Sequence, residues 1–226
     1  MSEKQIMQVA IVDYEAGNLF SVEQACKTVG LNLLITNKPE EILNADALIL
    51  PGVGAFGDAM KNLHKLGLVK TLREFAASGK PFMGICLGMQ LLFSESDEFG
   101  HHKGLDIING RVVKFIPQKN KRIKVPQIAW NQISRAPSIS DSYWNASPLR
   151  AIRNGEFMYF VHSFYAIPDS KENLLTVTNY ASIEYASGVI QRNIWGFQFH
   201  PEKSGAEGLK IYKNFKDITD RRDCNG

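Results

Sequence analysis

The segment Gly84-Ile85-Cys86-Leu87-Gly88 places a cysteine between two glycines, where an apolar run, Pro81 to Ile85, gives way to a helical run, Leu87 to Phe93. That spacing matches the strained strand-to-helix turn that lifts a nucleophile clear of a sheet. Glycine is needed on both sides because the turn is tight and neighbouring backbone crowds it. A thiol at the start of a helix is also favoured as its thiolate by the helix dipole. A buried structural cysteine is the plainer alternative. It is the reading for Cys26, which falls on the apolar face of a helical pattern. At Cys86 the two glycines argue for a nucleophile.

A nucleophilic thiol requires a base, and the base requires an orienting group. The chain has five histidines. His64 lies in a charged helical stretch and reads as a surface residue. His101 and His102, between Gly100 and Gly104, read as an exposed loop without metal partners at ligand spacing. His162 follows an apolar strand in Val161-His162-Ser163-Phe164 and is a candidate. His200 is the stronger one, because it ends the apolar run Trp195 to Phe199 and is followed by Pro201-Glu202. Proline stiffens the link, and the carboxylate two residues on can fall on the histidine's side. Glu202 can equally be a helix-start carboxylate, since a helix follows.

Pro51-Gly52-Val53-Gly54-Ala55-Phe56-Gly57 contains G-x-G-x-x-G after a strand and before a helix. A dinucleotide fingerprint is disfavoured: the motif follows the third strand, and no acidic residue ends the next one to hold ribose hydroxyls. The other use of such a loop is to present backbone N–H groups to an oxyanion, with the N–H of Leu87 as the second donor. The basic run Lys119, Lys121, Arg122, Lys124 lacks interleaved aromatics and reads as a solvated loop.

These residues need elements to hold them. Val9 to Val12, Leu33 to Ile35, Ala47 to Leu50 and Pro81 to Ile85 read as buried strands. Between them lie helical patterns, one around Leu19 to Val29 and one from Phe56 to Ala77 with a possible break at Gly67, so the first half predicts a parallel sheet. The second half predicts strands near Arg111 to Ile116, Gln127 to Trp130, Phe157 to Val161, Leu174 to Thr178, Ser187 to Gln191 and Trp195 to Phe199, several of them antiparallel. A last helix runs from about Ala206 to Thr219, with Leu209, Tyr212, Phe215 and Ile218 on one face. Residues from about 220 to 226 read as a frayed tail, and no linker divides the chain, so one domain spans 1–226.

The 226 residues, 44% hydrophobic and 22% charged, suit a soluble α/β domain that buries its core without disulfides. Lys plus Arg number 26 and Asp plus Glu 23, a net charge of +3 that does not argue for nucleic acid. The three cysteines, Cys26, Cys86 and Cys224, cannot close a disulfide set, which points to a reducing, cytoplasmic setting. The apolar stretch Ile6 to Val12 is too short and wrongly flanked for a signal peptide, and no run approaches a membrane span.

Gly84-Ile85-Cys86-Leu87-Gly88-Met89-Gln90 together with Gln198-Phe199-His200-Pro201-Glu202-Lys203-Ser204 resembles the triad glutamine amidotransferases. Asp13-Tyr14 with Gly17-Asn18-Leu19, the Pro51-to-Gly54 loop, Trp130-Asn131 and Tyr159-Phe160-Val161-His162-Ser163 are similar to the glutaminase subunits of imidazole glycerol phosphate synthase, from about Val9 to Phe215. The resemblance implies a three-layer, flavodoxin-like class I fold, with a central, mostly parallel sheet and further antiparallel strands in its second half. It implies a triad of Cys86 as nucleophile, His200 as acid and base, and Glu202 as orienter. Backbone donors at Gly52, Val53 and Leu87 would form the oxyanion hole. Gln90, Glu98, His162, Ser163 and Phe164 would hold glutamine. Ammonia would pass to a (β/α)8-barrel cyclase in a one-to-one heterodimer, faced by Asn18, Trp130, Tyr159 and Lys203. No metal or organic cofactor, nucleic acid or membrane is implied.

The family usually carries Gly where Glu15 stands, His and Gly where Gln127 and Ala129 stand, and Gly and Pro where Asp106 and Asn109 stand. Glu15 and Gln127 to Trp130 belong to segments expected near the partner, outside the triad. Relatives of such subunits feed ammonia to barrel enzymes that amidate surface-polysaccharide sugars, and these differences leave that alternative open.

Overall fold

A strand buried on both faces has to be apolar at every position, and Val9 to Val12 in the strand Gln8–Val12 (β1) are fully buried. Strand alternation sends Val9 and Ile11 to one side and Ala10 and Val12 to the other. The two pairs join separate hydrophobic clusters, one on each face of the sheet. The structure, a computed structural model, describes residues 7–16, 19–116 and 124–221.

Helix α1 (Leu19–Thr28) is followed by β2 (Asn32–Thr36), α2 (Pro39–Asn44), β3 (Ala47–Leu50), α3 (Phe56–Lys65), α4 (Leu68–Ala77), β4 (Phe82–Ile85) and α5 (Leu87–Leu91). Then come β5 (Phe93–Ser96), β6 (His102–Lys103), β7 (Ile108–Lys114), β8 (Gln127–Arg135), α6 (Asp141–Ala146), β9 (Glu156–His162) and β10 (Phe164–Pro168). β11 (Leu174–Tyr180), β12 (Ile183–Gln191), β13 (Ile194–Phe197), a 3-10 turn (Pro201–Lys203) and α7 (Gly205–Arg221) complete the chain. α1 and α7 bury Val22, Cys26, Tyr212 and Phe215 against one face of the sheet. α2, α3 and α4 bury Ile42, Leu63, Leu72 and Phe75 against the other, giving three layers.

The sheet order is β2-β1-β3-β4-β13-β12-β10-β7-β5-β6, and β8 and β9 attach through β11. From β2 to β13 all neighbours are parallel. β13 pairs antiparallel with β12, and antiparallel pairing continues through β10 to β7. In-register neighbours Leu50, Gly84 and Gly196 bring the carboxyl ends of β3, β4 and β13 to one edge. Loops leaving that edge carry Pro51, Cys86 and His200, the position where open α/β sheets bind ligands.

The helical pattern from Phe56 to Ala77 is two helices, with the expected break at Gly67, which takes φ +69°. The structure departs from the sequence expectations at several elements. The run from Leu87 stops at Leu91, and Phe93 opens a strand. His102 sits half-buried on β6 rather than in an exposed loop, its ring against Gly57. β8 extends to Arg135, well beyond Trp130, and β10, α2 and α6 were not anticipated. Asn18, Lys119, Lys121, Arg122, Cys224 and tail residues 222–226 lie outside the described residues, and Arg221 closes α7. Among the described residues, no helix is long and apolar enough to cross a membrane.

Candidate active site

Cys86 adopts φ +53° and ψ −111°, a conformation that costs a side-chain-bearing residue about 1–3 kcal/mol. The surroundings enforce it. Its N–H donates to the Phe197 carbonyl at 2.7 Å, and its own carbonyl accepts from the Gln90 N–H at 3.2 Å to start α5. A Cβ on Gly84 would lie 2.8 Å from the Gly88 carbonyl oxygen, and one on Gly88 would overlap the Leu50 carbonyl. The two glycines therefore let β4, α5 and β3 close on one another, and the elbow directs Cys86 toward a pocket of about 290 Å³.

His200 lies across that pocket. Its Nδ1 is 2.7 Å from Glu202 Oε1, and both side chains are almost completely buried. Tyr212 on α7 donates to the other carboxylate oxygen at 3.5 Å. The backbone of His200 is tied to β9: its N–H donates to the Tyr159 carbonyl at 2.9 Å, while Ser204 Oγ donates to the His200 carbonyl at 2.7 Å and accepts from the Tyr159 N–H at 3.0 Å. Nε2 is buried and has no hydrogen-bond partner among the described residues. Burial alone would lower the pKa of His200. The charge on Cys86 and then Glu202 outweigh it and push it up to about 10. A histidine so placed can hold a proton opposite a thiolate and release it to a departing group.

The oxyanion loop divides. Val53, Gly54 and Leu87 line the pocket, whereas Gly52 lies behind it, against Tyr14 and Leu87. Tyr14 donates its hydroxyl to the Pro51 carbonyl at 2.7 Å and anchors the base of the loop. Gly54, with φ +102° and open space where a Cβ would be, was not among the expected donors.

Gln90, Glu98, His162, Ser163 and Phe164 all line the same pocket. Gln90 Nε2 donates to the Phe164 carbonyl at 3.0 Å and to Gln198 Oε1 at 2.9 Å. Glu98 Oε2 accepts the Phe56 N–H at 2.7 Å, at the start of α3. Burial raises its carboxyl pKa, opposed by that N–H and by His102. His162 has both ring nitrogens engaged, Nδ1 with the Phe164 carbonyl at 2.8 Å and Nε2 with the Tyr185 hydroxyl at 3.2 Å. It therefore shapes the wall and has no free nitrogen for proton transfer. Burial, opposed by the Phe164 carbonyl and aided by the His200 charge, lowers its pKa to about 4.

Trp130 is about half exposed, at 52%, and so is not a core residue. Tyr159 meets it edge-on, ring centroids 6.1 Å apart, and Lys203 is exposed on the turn after His200. His64 and His101 are exposed and are not among the pocket-lining residues. Cys26 is fully buried among apolar groups, as its helical position requires. Sequence reasoning missed Pro126 and Val161 as pocket residues, and Gln198, whose amide reaches the Cys86 sulfur at 3.8 Å. The signals for Gln198 were its place at the head of the Gln198-to-Ser204 motif and a lone amide inside an apolar strand-end run, Trp195 to Phe199.

The family model for glutamine amidotransferase class-I matches residues 10–218. The imidazole glycerol phosphate synthase subunit HisH of Methanosarcina mazei is 47% identical over 214 residues, covering 93% of this chain and 98% of the relative. The same subunit of Syntrophotalea carbinolica is 43% identical over 213 residues, covering 93% and 100%. Among solved structures, PurLQS from Thermotoga maritima shares the fold with TM-score 0.68 at 17% identity, covering 94% of this chain and 99% of the other. A glutamine amidotransferase from Thermotoga maritima does so with TM-score 0.60 at 16% identity, covering 97% of this chain and 86% of the other. With the elbow at the carboxyl edge of its sheet, the chain belongs to the class-I glutamine amidotransferases, in the family of the imidazole glycerol phosphate synthase HisH subunits.

Proposed function

We propose that the chain is a cytoplasmic glutaminase subunit that hydrolyses glutamine through Cys86, His200 and Glu202 and passes the ammonia to a (β/α)8-barrel cyclase. The observation that carries the reading is Cys86 on a strained elbow opposite His200, whose Nδ1 is held 2.7 Å from Glu202. The Cys86 sulfur attacks the side-chain amide carbon. The N–H groups of Val53 and Leu87 receive the oxyanion, with Gly54 beside them and Gly52 supporting the loop from behind. His200 gives its proton to the departing nitrogen, so ammonia leaves and a glutamyl thioester remains. Water then attacks the thioester as His200 takes its proton, and collapse returns glutamate and the Cys86 sulfur. Glu202 orients the imidazole and balances its charge.

Gln90, Glu98 and the His162-Ser163-Phe164 segment form the glutamine-binding wall. No cofactor enters any step. The cyclase partner uses the ammonia to form imidazole glycerol phosphate and AICAR, a reading supported by the names of relatives that share 43–47% of their residues with this chain. The test is an electrophilic glutamine analogue with peptide mass spectrometry. It is expected to label Cys86, and Cys86→Ser is expected to abolish both labelling and glutamine hydrolysis in a folded chain. Labelling of Cys26 instead would overturn the assignment.

A further inference from the structure

A glutamine with no exposed surface, set between Phe197 and Phe199, is costly to bury unless its amide is bonded. The amide of Gln198 is bonded at both ends. Oε1 accepts from Gln90 Nε2 at 2.9 Å, and Nε2 donates to Cys86 Sγ at 3.8 Å, within reach of a large sulfur acceptor. Its backbone N–H is held by the Ser187 carbonyl at 3.0 Å on β12. Gln198 is not part of the pocket lining, so it meets the reaction only through Cys86 and Gln90.

The orientation is dictated from outside the pair. The Phe164 carbonyl can only accept, so it fixes the Gln90 amide with its NH2 group inward. The second hydrogen of that NH2 then demands an oxygen, which fixes Gln198 with its own NH2 toward the sulfur. A reversed Gln198 would set two NH2 groups against each other and an oxygen against Cys86. The preceding residue completes the hold, since the Phe197 carbonyl takes the Cys86 N–H at 2.7 Å.

We propose that Gln198 is a positioning residue for the nucleophile: its N–H aims the Cys86 sulfur and stabilises negative charge on it, under a chain of bonds that starts at the Phe164 carbonyl. The proposal rests on the reading of Cys86 as the nucleophile. An N–H bond to a charged acceptor is among the stronger ones. Losing it is expected to lower kcat about 10- to 100-fold in Gln198→Met. Gln198→Glu keeps the shape and the acceptor for Gln90 but turns an oxygen to the sulfur, and is expected to lose more. KM for glutamine is expected to stay within about threefold in Gln198→Glu, which keeps the acceptor that holds Gln90 in the pocket wall. Alkylation of Cys86 by iodoacetamide at neutral pH is expected to slow in both variants, while circular dichroism stays that of the parent.

Wild-type kcat in either folded variant, or a raised KM at unchanged kcat, would overturn the proposal, the latter by assigning Gln198 to glutamine binding through Gln90. Should neither variant fold, the unaltered chain with isotope-labelled glutamine provides the readout. The side-chain amide signal of Gln198 is expected to move when Cys86 is blocked, and an unmoved signal rejects the contact. Cys86→Ser separates this failure from that of the parent reading: if it retains activity the nucleophile is wrong, and if it is inactive while Gln198→Met is not, only the positioning role is lost.

Discussion

The carboxylate of Glu202 is buried to 1% exposure, and it tolerates that position because His200 and Tyr212 both address it. Glu202→Gln can keep the imidazole in place, since an amide oxygen still accepts from Nδ1–H, but it removes the balancing charge. His200→Asn removes the proton carrier itself. The expected order follows: His200→Asn loses several orders of magnitude in kcat, and Glu202→Gln loses about 10- to 100-fold less. Because Glu202 is one of the groups that raise the pKa of His200, its neutralisation should also move the histidine limb of the pH–rate profile toward lower pH. Steady-state kinetics across pH checks both statements. Equal losses in the two variants would mean that Glu202 does more than orient and balance. His162 makes a useful contrast at the same scale. It lies in the same pocket wall, yet its two nitrogens are spent on Phe164 and Tyr185.

At the scale of elements, that spent histidine has a thermodynamic consequence. Its pKa is lowered to about 4 in the fold, whereas an unfolded chain's histidine titrates near 6.5. As pH falls below about 6.5 the unfolded chain takes up the proton first, so the folded state loses stability until about pH 4, where both forms are charged. The span is on the order of 3 kcal/mol. Denaturant unfolding at a series of pH values should show a shallower acid slope in His162→Gln than in the parent over that window, and parallel curves would reject the assignment. The elements of the fold were only partly legible in the sequence. β3 and β4 were, because a strand buried on both sides is a plain apolar run. The elbow was, because only glycine allows backbone to cross at 84 and 88. β5 and β6 were not: Ser94, Glu95 and Ser96 are polar, and their pairing with β7 is decided by distant partners. β10 was hidden by Pro168 and by Ser163, which breaks the run after β9. Gln198 was hidden because its meaning depends on Gln90, 108 residues away.

Across the whole molecule, β8 and β9 form a ribbon whose outer face is unusually apolar. Trp130 pairs with Tyr159, Ile128 with Val161 and Gln132 with Phe157, so these side chains share one face. Ile128, Trp130 and Phe157 are exposed at 55%, 52% and 47%. Val161 and the adjoining Pro126 continue that face into the pocket itself. An exposed apolar patch with Trp and Tyr anchors suits the partner surface proposed above, and it runs up to the pocket lining at Pro126 and Val161. Lys203 adds a charge on the turn after His200. The ribbon also touches the base, because Tyr159 bonds the His200 backbone directly and through Ser204. A partner seated on Trp130 and Tyr159 would therefore press on the segment that carries His200. The expected outcome is a one-to-one complex with the barrel cyclase, measured by titration calorimetry, in which Trp130→Ala weakens binding by about tenfold or more. Lys203→Glu is expected to weaken it as well, with a steeper cost at low salt, as a rim charge does. Addition of the cyclase with its ribonucleotide substrate should raise glutamine hydrolysis above that of the chain alone. Equal rates with and without a bound cyclase would show that the ribbon is a docking surface without influence on the triad. Failure of the histidine-pathway cyclase to bind, with a sugar-amidating barrel binding in its place, would move the partner assignment, and Glu15, Gln127 and Ala129 would be the first positions to examine, Gln127 as a buried residue bonded to Tyr185 rather than a surface contact.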